Sequence, residues 1–134
     1  MTRKVVKKIK RKKVDIKYLG IPNICFSVTD KDDKREKKFA KQRMTQGFDG
    51  SETWSLYGTI TRFTLPRLKC LKEVMNGYPL GMASEEWDSI LDKMINAFEL
   101  INLYNNAELE DAGKHKEIDE GMGLFAKHFL DLWW

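Results

Sequence analysis

Ser84-Glu85-Glu86-Trp87-Asp88-Ser89-Ile90-Leu91-Asp92-Lys93-Met94-Ile95-Asn96-Ala97-Phe98 is the stretch whose reading decides the fold. Trp87, Ile90, Leu91, Met94, Ile95 and Phe98 recur at i, i+3, i+4 and i+7, continuing to Ile101 or Asn102. That spacing lays one apolar stripe along a 3.6-residue helix. Ser84 offers a capping hydroxyl, and Glu85 and Glu86 place acids in the first turn, where the helix dipole favours them. Asn105-Asn106 ends the pattern.

Working outward, Trp54, Tyr57, Ile60, Thr61 and Leu65 also step at helical spacing before Pro66. A proline there either kinks the helix or opens a new one, with Thr64 available as a cap. The stripe resumes at Leu68, Leu71 and Met75 and stops at Asn76-Gly77, followed by a Tyr78-Pro79-Leu80-Gly81 loop. Upstream, Gly47-Phe48-Asp49-Gly50-Ser51 is loop chemistry in which Asp49 or Ser51 caps the next helix. Downstream, a last helix starts between Leu109 and Lys116 and runs toward Trp134. Its buried face is marked by Ile118, Met122, Phe125, Phe129 and Leu132, despite Gly121 and Gly123. Residues 47–134 are therefore expected to be a helical bundle body of three or four helices, in a mainly α fold.

Residues 14–46 read as an appendage. Val14-Asp15-Ile16-Lys17-Tyr18-Leu19 roughly alternates, Gly20-Ile21-Pro22-Asn23 is a turn, and Ile24-Cys25-Phe26-Ser27-Val28 is a second apolar run. The pair makes a short β-hairpin leaning on the body, or two separate extended segments. Asp33 to Met44 is read as a short, highly charged helix with Phe39 and Met44 as its apolar contacts.

Charge divides the chain. Residues 1–47 hold 16 Lys/Arg and 5 Asp/Glu, a local charge of +11, and residues 48–134 hold 8 and 15, a charge of −7. Within 1–13, a basic arm, Arg3, Lys4, Lys7, Lys8, Lys10, Arg11, Lys12 and Lys13 occur without one acid. Such a block is self-repelling and is expected to order only on an anionic partner. These eight residues are the candidate nucleic-acid contacts, acting on phosphate without sequence preference. A solubilising tail, or a segment that docks on an acidic protein surface, is the bland alternative. Aromatic residues for base stacking are few near the arm, only Tyr18 and Phe26.

The 134 residues, 42% hydrophobic and 33% charged, fit one globular domain. No run approaches the roughly 18 apolar residues of a membrane span. Val5-Val6 is followed at once by lysines, unlike a secretory signal. Cys25 and Cys70 show no metal-binding or C-x-x-C spacing and are expected to be free thiols in a reducing cytosol, with a single Cys25–Cys70 disulfide as the lesser alternative.

Catalytic chemistry is thinly supplied. His115 and His128, thirteen residues apart on one helix, stand roughly 20 Å apart and cannot share a metal. His115 with Asp119 or Glu120 reads first as a solvated charged turn. Asp88 with Asp92, and Glu117 with Glu120, could aim carboxylate pairs in one direction, as magnesium-dependent nucleotide hydrolases do. Acidic outer faces of bundle helices are the ordinary explanation. No phosphate-loop, dinucleotide or nucleophile-elbow motif occurs. The expectation is a non-enzyme without cofactor or metal.

Trp54 and Trp87 lie on apolar helix faces and are read as core. Trp133-Trp134, at the end of the sequence, either fold back on the bundle or mark a partner surface. Trp54, Arg62, Arg67, Trp133 and Trp134 are the candidate protein-interaction residues. Arginines laying their stems along the core, paired with Glu73 or Glu52, are the alternative for Arg62 and Arg67.

The runs Gly47-Phe48-Asp49-Gly50-Ser51-Glu52-Thr53-Trp54-Ser55-Leu56, Leu65-Pro66-Arg67-Leu68-Lys69, Gly77-Tyr78-Pro79 and Glu85-Glu86-Trp87-Asp88 combine with Ile90-Leu91-Asp92-Lys93-Met94-Ile95 and Ala97-Phe98-Glu99. Together with Glu120-Gly121-Met122-Gly123-Leu124-Phe125-Ala126-Lys127 and Leu132-Trp133, the pattern resembles a widespread family of small, mostly uncharacterised proteins of tailed bacteriophages and viral metagenomes. The resemblance covers residues 47–134. An Asp common in that family is Tyr57 here, so no role of that acid carries over. The resemblance implies action in the infected bacterial cytoplasm or in a virion, and no activity. The resulting expectation is a phage accessory protein that acts by binding, nucleic acid through its arm or a host or phage protein through its acidic, Trp-containing body. Inhibition of a bacterial defence system, a minor virion role and self-association fall within that reading, and no membrane is involved.

Overall fold

The computed structural model describes residues 25–108 and 114–134, which are mainly α-helical with no strand among them. The helices are α1 (Glu36–Gln46), α2 (Leu56–Val74), α3 (Ser84–Asn105) and α4 (His115–Lys127), with 3-10 turns at Gly50–Thr53 and Phe129–Asp131. Internal contacts divide the chain into two units, Met1–Leu56 and Tyr57–Trp134. Residues 1–24, carrying the basic arm, the 14–19 run and its turn, lie outside the described residues, as do residues 109–113.

In the first unit, α1 has almost no apolar stripe and is held by its ends. Glu36 lies in the first turn and Arg43 in the last, each on the side that the helix dipole favours. Gly47 closes the helix in the left-handed region (φ 84°), donating its N–H to the Arg43 carbonyl at 3.1 Å. Phe39 turns inward, as expected, but Met44 does not: it is 68% exposed. Arg43 takes the inward place, because Glu36 and Asp49 supply its guanidinium with carboxylates that a methionine could not use.

Asp49 caps the turn after α1. Its Oδ1 accepts the Ser51 N–H at 2.8 Å, while Glu52 Oε2 accepts the Asp49 N–H at 3.0 Å, a reciprocal capping box. Gln42 Oε1 accepts the Gly50 N–H at 2.8 Å, tying the turn to α1. Residues 25–30 carry no strand. Their amides go to side chains of the same turn: Phe26 N–H to Glu52 Oε1 at 3.0 Å and Val28 N–H to Ser51 Oγ at 3.1 Å. The 49–53 turn is thus tied by hydrogen bonds to the segments before it, and the division between units falls after Leu56.

The second unit is an antiparallel three-helix arrangement of α2, α3 and α4. Side-chain pairs fix the directions: Lys69 with Glu99 and Lys72 with Asp92 between α2 and α3, then Lys93 with Glu120 and Asn96 with Glu117 between α3 and α4. Its core is Leu68, Trp87, Leu91, Met94 and Phe98, with Leu65, Leu71, Met75, Met122 and Phe125 packed against it. Each fully buried side chain of this kind contributes about 1.5–3 kcal/mol by leaving water. Phe98 meets Phe125 edge to face at 5.0 Å. α3 and α4 approach closely at Gly121, where an added Cβ would stand 2.3 Å from the Ala97 Cβ and 2.4 Å from the Lys93 carbonyl oxygen.

α2 continues through Pro66, so of the two readings the proline lies inside one helix and opens no new one. Beside it Arg67 Nη1 donates to the Phe63 carbonyl at 2.7 Å. Ala83, not Ser84, is the N-cap of α3; Ser84 is already the first helical residue and makes no capping bond. α4 stops at Lys127, not near Trp134, and a 3-10 turn succeeds it, leaving Phe129 57% exposed. No helix among the described residues is long and apolar enough to cross a membrane.

Candidate interaction surfaces

The eight basic residues Arg3, Lys4, Lys7, Lys8, Lys10, Arg11, Lys12 and Lys13 lie outside the described residues. The candidate surfaces among the described residues belong to the two units separately.

Of the tryptophans, Trp87 is core, 2% exposed, with its Nε1 directed at the Met75 sulfur at 3.1 Å. Trp54 is not core, and the expectation that it packs inside is overturned. It is 50% exposed, touching Phe39 edge-on at 5.8 Å while the Arg35 guanidinium lies 4.8 Å over its ring. Its place after the 3-10 turn, ahead of α2, removes it from the helical stripe that the spacing suggested. Arg62 is half-buried on α2. Arg67 is exposed and stacks on Phe63, 3.9 Å from the ring centroid.

Trp133 and Trp134 are brought together with the loop between α2 and α3. Along with Met75, Tyr78, Leu80 and Asp131 they wall a groove of about 390 Å³ at one end of the second unit. Both indoles lean on this loop yet stay open, 71% and 70% exposed. Asp131 accepts from His128 Nδ1 at 3.1 Å, and the His128 ring packs edge-on against Trp87, 5.5 Å between centroids. The groove's carboxylate is thereby fixed to a side chain that rests on the core. Sequence reasoning did not single out Tyr78, Leu80 or Asp131, because a loop has no periodicity. The available signal was its apolar composition, Tyr-Pro-Leu, where polar residues are usual.

The acidic pairs are placed differently from a metal site. Asp92, Glu117 and Glu120 border a shallow hollow between α3 and α4 that also contains Lys93 and Asn96. Lys72 holds Asp92 and Lys93 holds Glu120. Lys114 and the Asn96 amide both donate to Glu117, which keeps that carboxyl below the ordinary range. Among the described residues no group of three or more His, Cys, Asp or Glu side chains is placed to hold a metal ion. His115 meets Tyr104 edge to face, 6.0 Å between ring centroids. Cys25 and Cys70 are free, and burial pushes the Cys25 thiol up.

A polar cluster in the first unit escaped the sequence reading. Arg43 bridges Glu36 and Asp49 and donates to Ser27 Oγ at 3.2 Å. Burial works to raise the Asp49 carboxyl. The Ser27 and Ser51 hydroxyls and the Arg43 guanidinium outweigh it and hold the group below the ordinary carboxylate range. The cluster contains no histidine, the Cys25 thiol at its edge is pushed up by burial, and its polar atoms join residues 25–29, α1 and the 49–53 turn. Its chemistry is that of a structural clamp.

No family model, curated protein or solved structure matches the chain.

Proposed function

We propose that the protein acts by binding, holding nucleic acid through Arg3, Lys4, Lys7, Lys8, Lys10, Arg11, Lys12 and Lys13. The observation that carries this reading is the run of eight cations without an acid, placed ahead of a body of opposite charge. Cations on such a segment neutralise phosphates and release counterions, giving affinity with little sequence preference. The acidic body would repel the same polymer and so confine contact to the arm. The resemblance to tailed-phage proteins supports an accessory role in the infected bacterial cytoplasm or in a virion.

The test is binding of the full chain to a labelled duplex and a single strand across a salt series. A comparison chain has the eight Lys/Arg replaced by Gln. With six to ten phosphate contacts, affinity falls by about 10³-fold or more between 50 and 200 mM salt. The substituted chain should lose the interaction. Binding that ignores salt, or that survives the eight substitutions, defeats the proposal.

A second reading is a host-directed protein, such as an inhibitor of a bacterial defence system, whose acidic body imitates nucleic acid. It is favoured by Glu85, Glu86 and Asp88, exposed acids in the opening turns of α3. Under it, partner binding persists in the arm-substituted chain and fails when those three acids become Gln or Asn. Turnover of a nucleotide abolished by Asp88→Ala or Glu117→Ala would replace both readings with a hydrolase.

A further inference from the structure

We infer that the end of the Tyr57–Trp134 unit bearing the groove is a self-association surface, and that its occupant is the same end of a second copy of this chain. This goes beyond the nucleic-acid reading, which rests on residues 3–13 and makes no use of the groove.

The first ground is area. Around the groove Leu80 is 103% exposed, Trp133 71%, Trp134 70% and Tyr78 56%. Aromatic side chains present 150–250 Å² each, so the three aromatics alone leave about 400 Å² in water. That already reaches the largest patches of ordinary monomers. With Leu80 the surface is about 500 Å² or more, so two copies would bury roughly 1,000 Å² between them, the threshold of a specific interface.

The second ground is shape. A two-fold contact uses one patch twice, so the patch must carry both its projection and its recess. Here the groove of about 390 Å³ is the recess. Leu80 on its wall, fully exposed, is the projection.

The third ground is chemistry. Among the groove's lining residues Asp131 is the one charged side chain, and its carboxylate is engaged by His128. The rest is Trp, Tyr, Met, Leu and Pro, with Gly77 and the neutral polar Asn76. Interface centres are poor in charge and rich in Trp, Tyr and Met, the residues that dominate binding energy. A nucleic-acid partner would find a carboxylate and no cation there.

The experiment is sedimentation velocity on the full chain, without nucleic acid, up to about 100 µM and in roughly 0.5 M salt to screen the arm. A dimer is expected. Leu80→Asp and Trp134→Ala, both at exposed positions, should each weaken it about tenfold or more, with circular dichroism unchanged. Ile60→Asp, on the half-exposed face of α2, should leave it intact. If either groove variant loses helicity, Tyr78→Asp takes its place. A chain that stays monomeric, a dimer indifferent to the groove substitutions, or one dissolved by Ile60→Asp alone overturns the inference. Nucleic-acid binding is read separately through the arm-substituted chain, so the two readings fail independently.

Discussion

The guanidinium of Arg43 meets the carboxylate of Asp49 at 2.5 Å with both side chains at most 1% exposed. A pair this deeply buried is costly to form and more costly to break, because removing one partner strands the other charge away from water. Asp49 also caps the 49–53 turn, so the same carboxylate serves two functions. Asp49→Ala is expected to destabilise the first unit by about 3–5 kcal/mol. Urea unfolding of the wild-type and variant chains, monitored by circular dichroism, measures the difference. A change under about 1 kcal/mol would mean that the pair is dispensable.

The same cluster predicts an acid limb. The Asp49 carboxyl titrates lower in the folded chain than in the unfolded one, where its ordinary value is 3.8. The unfolded state therefore binds the proton first as pH falls, and stability rises with pH across that interval. The contribution is complete above the ordinary carboxylate value and is lost as pH drops through the folded one. Urea midpoints at neutral pH, near pH 4 and near pH 3 should decline. Asp49→Asn should flatten that decline while lowering stability at neutral pH.

Gly121 and Gly123 lie two residues apart on α4 and should respond oppositely to alanine. A methyl at Gly121 would collide with Ala97 and with the Lys93 backbone, whereas one at Gly123 meets nothing within 4 Å. Gly121→Ala should cost about 1–3 kcal/mol through overpacking. Gly123→Ala should gain roughly 0.5–1 kcal/mol from helix propensity. Thermal melts of both variants check the pair, and equal shifts would contradict the close approach of α3 and α4.

The tryptophans can be sorted by fluorescence. Trp87 is sealed, while Trp54, Trp133 and Trp134 are half or more exposed. Trp87→Phe should remove the blue-shifted, acrylamide-resistant part of the emission and destabilise the second unit by up to about 3–5 kcal/mol, the scale of large aromatic truncations. Trp54→Phe should lower the quenchable part, with a stability change within about 0.5 kcal/mol.

Legibility of the fold in the sequence rests on period and length. α3 was readable because Trp87, Leu91, Met94 and Phe98 face one core on successive turns. The stop after Met75 and the late start of α4 were readable from Asn76-Gly77 and the polar stretch after Asn105. Met44 and Trp54 misled because apolar character alone does not bring burial. In the first unit most inward places beside Phe39 and Cys25 go to polar residues such as Arg43, Asp49, Ser51 and Glu52, chosen for mutual hydrogen bonding that no periodicity encodes. Ser84 misled because a hydroxyl before a stripe need not cap when the chain enters the helix one residue earlier. The groove was half legible: the Trp133-Trp134 pair was visible, but its partners came from a loop distant in the chain.

The near-contact of Gly121 with Ala97 has a genealogical corollary. Two helices that meet where one residue has no side chain and the other only a methyl leave a lineage little room at those sites. As the surrounding surface drifts, positions 97 and 121 will change together or not at all, with any gain of volume at one matched by loss at the other. In descendants and cousins of this chain, the sum of the two side-chain sizes will vary less than either size alone.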